Sequence, residues 1–247
     1  GQKIFRKAYL MADMTVDHEG MQICTKPLVS FAGKLYTAPM SAVDCAVKTI
    51  GTCPRHNEAF ITSGMVQYNA CAGNFEGSGM AYSGSMNVLK NVLGNEYLWN
   101  NVRVKGGAYG CMCGFAPSGN GYFTSYRDPN LAKTYDIYAN AADYVRSLAL
   151  DDRELTKYII GAVGAIDLPM TASMKGNRSL AAFLGERSFE QIQKNRDELL
   201  ATTVDDLRGL SKAVASVIEA GHICVVGSES KITEEKDRFE YVAQLTQ

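Results

Sequence analysis

The sequence has few of the features that mark membrane, nucleic-acid-binding or disulfide-stabilised proteins. No apolar run approaches the 18 or so residues of a membrane-spanning helix, so we expect no membrane partner. The formal net charge is −1 over 247 residues, which gives no electrostatic basis for a nucleic-acid partner. The seven cysteines are an odd number, scattered along the chain, and this favours free thiols over a disulfide framework. We therefore expect an intracellular protein in a reducing compartment.

Metal-binding and catalytic signatures are also scarce. The three histidines are far apart, and the sequence contains no Walker loop, G-x-S-x-G elbow or dinucleotide fingerprint. His56 and Glu58 match the H-x-E half of a zinc deaminase, but its P-C-x-x-C partner is missing. Cys111 and Cys113 are closer together than most paired zinc ligands, and small buried core residues are the simpler interpretation. The sequence therefore predicts no metal site within this chain.

What the sequence does contain is a tight helix-to-strand corner within residues 97–130. An apolar helical run ends at Arg103, and then come Gly106 and Gly107, two residues that are costly inside a helix. The chain next alternates as a strand that begins at Tyr109. Arg103 and Tyr109 therefore flank a sharp turn, where both side chains could reach one ligand. Spacing alone favours the plainer interpretation, a helix-end cation and a packing tyrosine.

Turn and cap signals follow this corner. Residues 117–121 (Pro-Ser-Gly-Asn-Gly) are dense in turn residues, and their Asn-Gly pair predicts a hairpin whose second strand covers residues 122–126. Asp128 is predicted to cap a new helix, with Pro129 at its first position.

The remaining segments predict helices interspersed with strands. Residues 8–16 predict a buried strand, and a helix is expected over residues 25–35. Residues 36–58 show no periodicity and are interpreted as a linker, while residues 229–247 predict a charged surface helix. The expected fold class is α+β, with helices on one side of a largely antiparallel sheet.

Several short stretches together resemble a known family. They are Val66-Gln67-Tyr68, Ala72-Gly73-Asn74, Leu98-Trp99, Arg103-Val104-Lys105-Gly106-Gly107-Ala108-Tyr109-Gly110, Ser125-Tyr126-Arg127-Asp128-Pro129-Asn130-Leu131, Leu155-Thr156-Lys157 and Ile159-Ile160-Gly161. With them, the chain from about Asn57 onward resembles the last domain of the presequence-protease branch of the insulinase/pitrilysin metallopeptidases, whose fold is of the LuxS/MPP-like type. Residues 1–54 resemble the closing segment of a preceding domain plus a linker, so residues 55–247 are expected to form the C-terminal domain.

The resemblance implies a zinc metalloendopeptidase that degrades unfolded peptides inside a chamber formed by two closing halves. In that family an H-x-x-E-H motif in the first domain holds the zinc ion, and this chain has no such motif. The chain is therefore expected to be part of a longer protein, to contain no catalytic residue and to be inactive alone. Its expected partners are the N-terminal half of the same polypeptide and unstructured peptide substrates, in a bacterial cytoplasm or a mitochondrial matrix.

The resemblance also implies a role for the corner. Arg103 and Tyr109 match an arginine and a tyrosine of the family that reach across to the substrate beside the metal. Both side chains are donors that can bond a peptide carbonyl as it gains negative charge. Gly106 and Gly107 would be the hinge of the turn. The alternative is a non-catalytic structural or assembly subunit that keeps the same fold.

Overall fold

The computed structural model describes residues 5–38 and 57–245, which fall into two units. The first unit is Gly1–Cys53 with Leu168–Phe189, and the second is Pro54–Asp167 with Glu190–Gln247. The predicted linker lies mostly outside the described residues, and the predicted boundary between residues 54 and 55 stays a prediction.

The second unit is built on a six-stranded sheet. Its strands are β1 (Glu58–Thr62), β2 (Gln67–Asn74), β3 (Gly110–Phe115), β4 (Asn120–Asp128), β5 (His222–Ser228) and β6 (Tyr241–Gln244), in the spatial order β3-β4-β2-β5-β1-β6. The β3–β4, β4–β2 and β2–β5 pairs are antiparallel, whereas β5–β1 and β1–β6 are parallel. The predicted α+β class is confirmed, with a sheet that is antiparallel on one side and parallel on the other.

Helices occupy most of the remaining described chain. They are the α-helices His18–Gly33, Ser85–Val92, Ala132–Ala139, Ala141–Arg146, Asp152–Ile166, Ala172–Leu184, Phe189–Leu200, Val204–Gly209, Ser211–Glu219 and Glu229–Glu234, with a π-helix at Leu93–Val104. Short 3₁₀ turns lie at Lys7–Tyr9, Glu76–Ser78 and Lys236–Arg238. Within the described ranges, none of these helices has the length and apolar character needed to cross a bilayer.

One face of the sheet carries the core of the second unit. Along β4, Phe123 and Ser125 are buried whereas Tyr122 and Tyr126 are exposed, as the two-residue period of a strand requires. Phe123 joins a single buried cluster with residues from helices such as Ser211–Glu219. Helices therefore cover one face of the sheet, and Tyr122 and Tyr126 are exposed on the other face.

The predicted hairpin forms, but its second strand begins at Asn120 rather than at Tyr122. The turn occupies residues 116–119, with Gly119 at φ +79°, and the N–H of Ala116 donates to the carbonyl of Asn120 at 2.8 Å. Asn120 and Gly121 already belong to β4, where Gly121 pairs with Phe115. Within the predicted turn stretch it is Gly119, not the Asn-Gly pair, that supplies the left-handed conformation, so the turn ends earlier.

In the first unit, the predicted strand over residues 8–16 is wrong. Residues 7–9 form a 3₁₀ turn, and Arg6 makes only one isolated bridge, with Tyr36. A strand needs a neighbour to bond its backbone, and no described strand runs beside this segment. The helix begins earlier than expected, at His18, because the Asp17 carboxylate accepts a hydrogen bond from the N–H of Gly20 at 2.7 Å.

The predicted C-terminal surface helix is also wrong in its main part. Only Glu229–Glu234 is α-helical, and the chain then forms β6. The N–H groups of Glu240 and Tyr241 donate to the carbonyl of Asn57, which aligns β6 with β1. Phe60 and Tyr241 add an edge-on ring contact with centroids 6.2 Å apart. Pairing across some 180 residues of sequence therefore overrides the local helical tendency.

Candidate functional site

A wide helical segment carries the first predicted site residue. The helix Ser85–Val92 continues directly into the π-helix Leu93–Val104, whose final turn closes with the N–H of Lys105 donating to the carbonyl of Asn100 at 3.0 Å. Hydrogen bonds of this i→i+5 type are rare and occur frequently at functional sites. Arg103 lies in this last turn, four residues after Trp99.

The glycine pair forms the corner after this helix. Gly107 has φ +83°, and its N–H donates to the carbonyl of Arg103 at 2.8 Å. A glycine in the left-handed conformation is a common helix terminator because it has no Cβ to clash. At Gly106 a Cβ atom would lie 2.3 Å from the carbonyl oxygen of Val102. Both positions therefore need glycine for the chain to turn this tightly.

The corner brings Arg103 and Tyr109 together. The guanidinium carbon of Arg103 lies 4.4 Å from the ring centroid of Trp99 and 5.6 Å from that of Tyr109. Tyr109 also contacts the edge of Tyr126, with ring centroids 5.4 Å apart. The Tyr109 side chain is 60% exposed. The Arg103 guanidinium therefore lies within cation–π distance of both rings, and Arg103 itself is partly exposed.

Arg103 and Tyr109 line an open surface depression of about 530 Å³. Its lining consists of Val66, Arg103, Val104, Gly107, Ala108, Tyr109 and Arg127. The charged and hydroxyl-bearing side chains in this set are hydrogen-bond donors, and none of the described lining residues is acidic. The depression is therefore suited to a ligand that presents carbonyl or carboxylate oxygens.

A β-bulge places Arg127 in this depression, although no sequence pattern predicts a role for Arg127. Gln67 of β2 pairs with Asp128, but Asn69 pairs with Ser125, so Tyr126 and Arg127 both lie opposite Tyr68. Arg127 has φ +49°, in the left-handed region. The bulge leaves Tyr126 and Arg127 exposed in succession, although regular alternation would bury Arg127. No local sequence signal marks this bulge.

The guanidinium of Arg127 lies close to the predicted pair. Its central carbon is 5.9 Å from the ring centroid of Tyr109, and the N–H of Tyr109 donates to the carbonyl of Arg127 at 3.3 Å. Two guanidinium groups therefore approach one exposed tyrosine ring. Neither Arg103 nor Arg127 forms a salt bridge with any residue in the described ranges.

The predicted helix cap at Asp128 is wrong. Asp128 is fully buried at the end of β4, and the next helix begins only at Ala132 without a side-chain cap. Its carboxylate accepts hydrogen bonds from Ser125 Oγ at 2.7 Å, Thr134 Oγ1 at 2.7 Å, the backbone N–H of Asn130 at 2.9 Å and Asn69 Nδ2 at 3.3 Å. The bulge turns this carboxylate inward, where it ties β2, β4 and the following loop together.

The cysteines near the site are core residues. Cys113 is buried and Cys111 packs against the same cluster, as their alternation on a strand predicts. Burial raises the pKa of the Cys113 thiol to about 12 and that of the Cys111 thiol to about 11. Such thiols stay protonated at neutral pH, so they are poor nucleophiles and poor metal ligands. Five cysteines are free in the described ranges, while Cys45 and Cys53 lie outside them.

The zinc implied by the family resemblance does not fit the residues described. In residues 5–38 and 57–245, no group of three or more His, Cys, Asp or Glu side chains is arranged to hold a metal ion. His56, one half of the weak deaminase match, lies outside these ranges.

The fold is that of M16-type peptidase domains. A protease from Helicobacter pylori superimposes with a TM-score of 0.54 at 13% identity, over 85% of this chain and 52% of that chain. The inactive domain of an M16 peptidase from Pseudomonas fluorescens superimposes with a TM-score of 0.51 at 13% identity, over 84% of this chain and 50% of that chain. At these identities the likeness shows the fold alone.

Sequence similarity identifies the family. Residues 57–231 match the family described as the PreP C-terminal domain, and the chain belongs to that family. Protein HypA of Clostridium perfringens is 39% identical over 191 residues, which cover 77% of this chain and 20% of that protein. Presequence protease 1, chloroplastic/mitochondrial, of Arabidopsis thaliana is 35% identical over 223 residues, which cover 90% of this chain and 20% of that protein. The chain thus spans about one fifth of the length of these curated relatives.

Proposed function

We propose that this chain is the C-terminal, non-zinc-binding part of a zinc metalloendopeptidase that degrades unfolded peptides in a closed chamber. In this proposal the N-terminal half of the same polypeptide holds the zinc, and Arg103 and Tyr109 bind the substrate. The observation that carries the proposal is the convergence of the Arg103 guanidinium and the Tyr109 ring in one open depression. Membership of the PreP C-terminal domain family supports it.

The chemistry assigned to the pair follows from the donors that it offers. Arg103 is held against Trp99, so its fork of N–H groups is partly oriented before a ligand arrives. The hydroxyl of Tyr109, on an exposed side chain, is a second donor. Donors directed at a peptide carbonyl stabilise the negative charge that the oxygen gains during hydrolysis. The pair thus orients the peptide and shares in stabilising the transition state.

The proposed compartment is a bacterial cytoplasm or a mitochondrial matrix. It is supported by the five free cysteines in the described ranges and by the name of the Arabidopsis relative, which includes the mitochondrion.

Steady-state kinetics of the full-length parent protein test the role of the pair. Tyr109→Phe removes one donor, and we expect kcat to fall roughly 10²–10³-fold, the usual effect of losing one oxyanion donor. Arg103→Ala should lower kcat/KM as well, because a cation that orients the peptide contributes to both ground and transition states.

Matched controls are available in the same chain. Tyr241→Phe alters an exposed tyrosine at the far edge of the sheet, and Arg153→Ala alters an exposed arginine on another helix. Both controls should keep wild-type turnover, and all four variants should melt close to wild type. Wild-type kinetics for both Arg103→Ala and Tyr109→Phe would show that the pair is only a helix-end cation and a packing tyrosine.

The alternative, a non-catalytic structural subunit of the same fold, makes an opposite prediction for the parent. A purified parent with neither bound zinc nor peptidase activity, and without an H-x-x-E-H motif upstream, would establish that alternative.

A further inference from the structure

Two arginines approach the ring of Tyr109, and no acidic side chain lines their depression in the part of the chain that the structure describes. The guanidinium carbons of Arg103 and Arg127 lie 5.6 and 5.9 Å from the centroid of the same ring. Among the described residues that line the depression there is no carboxylate, and neither arginine has a salt-bridge partner in the described chain. Because both arginines line one depression, an anion bound there would be attracted by two positive charges.

The nearest acidic residue in sequence does not supply that anion. Asp128 follows Arg127 directly, but its carboxylate is fully buried and accepts five hydrogen bonds, the fifth from Asn130 Nδ2 at 3.4 Å. Arg127 itself is exposed on the open side. The bulge thus separates the two neighbours, with the negative group inside and the positive group facing solvent.

The backbone conformation of Arg127 is of an uncommon kind that is found at functional sites. A non-glycine residue at φ +49° is uncommon, and such residues cluster at ligand-binding sites. Bulges likewise occur next to active sites, where they redirect a side chain. Here the bulge directs a long cation toward the ring of Tyr109.

We propose that Arg103, Arg127 and Tyr109 form a carboxylate-binding subsite, and that it gives the parent peptidase a preference for peptides bearing a carboxylate at the position bound there. The planar fork of each arginine matches a carboxylate, and the Tyr109 ring lies beside both guanidinium groups while its hydroxyl serves the peptide carbonyl of the proposed function. The carboxylate is that of an acidic side chain or of the peptide C-terminus. This inference rests on the proposed function, because it assumes that the depression faces a peptide substrate.

Binding of matched peptides to the parent tests the subsite. One arm compares unstructured peptides that differ only by Glu or Gln at successive positions, and the other compares a free C-terminus with its amide. In one of the two arms we expect the carboxylate form to bind roughly 10–100-fold more tightly, as charge-assisted hydrogen bonds allow. The arm that responds identifies the source of the carboxylate.

Two substitutions separate recognition from folding. Arg127→Gln should abolish the preference, which means that the ratio of the two dissociation constants approaches one. Arg127→Gly removes the guanidinium but favours the positive φ, so it should abolish the preference without lowering Tm. Arg153→Gln, on a distant surface helix, should keep the full ratio.

The outcomes distinguish this inference from the proposed function. If neither arm shows a preference in the wild type, or if both Arg127 variants keep the wild-type ratio, the carboxylate subsite is wrong. Reduced turnover in Tyr109→Phe would then still support the proposed function. Conversely, if the parent cleaves no peptide, the proposed function fails, while a dissociation-constant ratio lost in both Arg127 variants would still support the subsite.

Discussion

Arg127 and Asp128 are adjacent in the chain, but they lie on opposite sides of the sheet. The left-handed conformation at Arg127 costs about 1–2 kcal/mol for a residue with a Cβ. The buried bonds of Asp128 offset this cost, since hydrogen bonds to a charged group contribute roughly 1.5–3 kcal/mol each. The hydrogen bonds of the buried Asp128 carboxylate therefore stabilise the bulge, and the bulge in turn exposes Arg127.

At this scale we predict that Asp128→Asn destabilises the protein by about 2 kcal/mol, because at least one buried donor loses its acceptor. In a chain of this size, that corresponds to a fall in Tm of roughly 4–8 °C. Asp143→Asn is the matched control, since Asp143 is an exposed carboxylate that forms a surface salt bridge. Thermal melts of both variants check the prediction. Equal Tm values for Asp128→Asn and Asp143→Asn would show that the buried hydrogen bonds of Asp128 contribute nothing to stability.

Among the elements, β2 and β5 are tied by a side chain as well as by their backbones. Gln67 is fully buried, and its Oε1 accepts a hydrogen bond from the N–H of Ser228 at 2.8 Å while its Nε2 donates to Ser228 Oγ at 3.2 Å. A Cβ on Gly227 would lie 1.9 Å from that Oε1. The Gln67 side chain therefore holds β2 and β5 together. Gln67 belongs to the Val66-Gln67-Tyr68 stretch that carries part of the family resemblance.

We therefore predict that Gly227→Ala is more destabilising than an ordinary glycine substitution in a strand. A Cβ must displace the Gln67 amide and leave a buried N–H without its partner, at about 1–3 kcal/mol. Gly64→Ala, in an exposed turn with room for a methyl group, is the control. Denaturant unfolding gives the loss in free energy of unfolding for each variant. A smaller loss for Gly227→Ala than for Gly64→Ala would contradict the prediction.

Two cysteines on the strands of the sheet, Cys71 and Cys113, are buried, and burial lowers the reactivity of their thiols. Burial raises the pKa of Cys71 from 9.0 to about 11 and that of Cys113 from 9.0 to about 12, so both stay protonated well above neutral pH. We predict that a thiol reagent at pH 8 labels the half-exposed Cys24 of the native protein but not Cys71 or Cys113.

Because only the thiolate reacts, labelling of the buried pair should begin only as the pH rises toward 11 and 12. Peptide mapping by mass spectrometry, with denatured protein as the control, reads each site separately. Labelling of Cys113 at pH 8 as fast as Cys24 would contradict the prediction.

At the scale of the whole molecule, the two units differ in how many of their side chains are buried. No described residue of the first unit is buried, whereas the second unit contains the entire buried cluster. The first unit exposes large apolar side chains, among them Val29 at 65%, Phe183 at 72% and Phe189 at 73%. An abundance of large exposed apolar side chains beside an absence of buried ones is typical of a unit that packs against another surface, so we propose that other parts of the proposed full-length parent cover it.

Hydrogen exchange tests this proposal. In the isolated chain, amides of residues 18–33 and 172–184 should exchange fast, because few buried contacts oppose local opening. In the full-length parent the same amides should be protected, while β2 and β4 should be protected in both forms. Equal protection of the two units in the isolated chain would contradict the proposal.

The sequence by itself determined the corner and the family. Two glycines after a helical run, an arginine before them and an alternating strand after them are local signals, and local backbone preference is enough to place Arg103 beside Tyr109. The α+β class follows in the same way, from the mixture of helical and strand periods.

Only the tertiary structure decided the position of Arg127, the burial of Asp128 and the pairing of β6. A bulge exists only relative to the register of a partner strand, and here that partner, β2, lies more than 50 residues earlier. The parallel β1–β6 pair likewise joins segments from opposite ends of the second unit. Such pairings gain their free energy from contacts between distant residues, so local periodicity carries no trace of them.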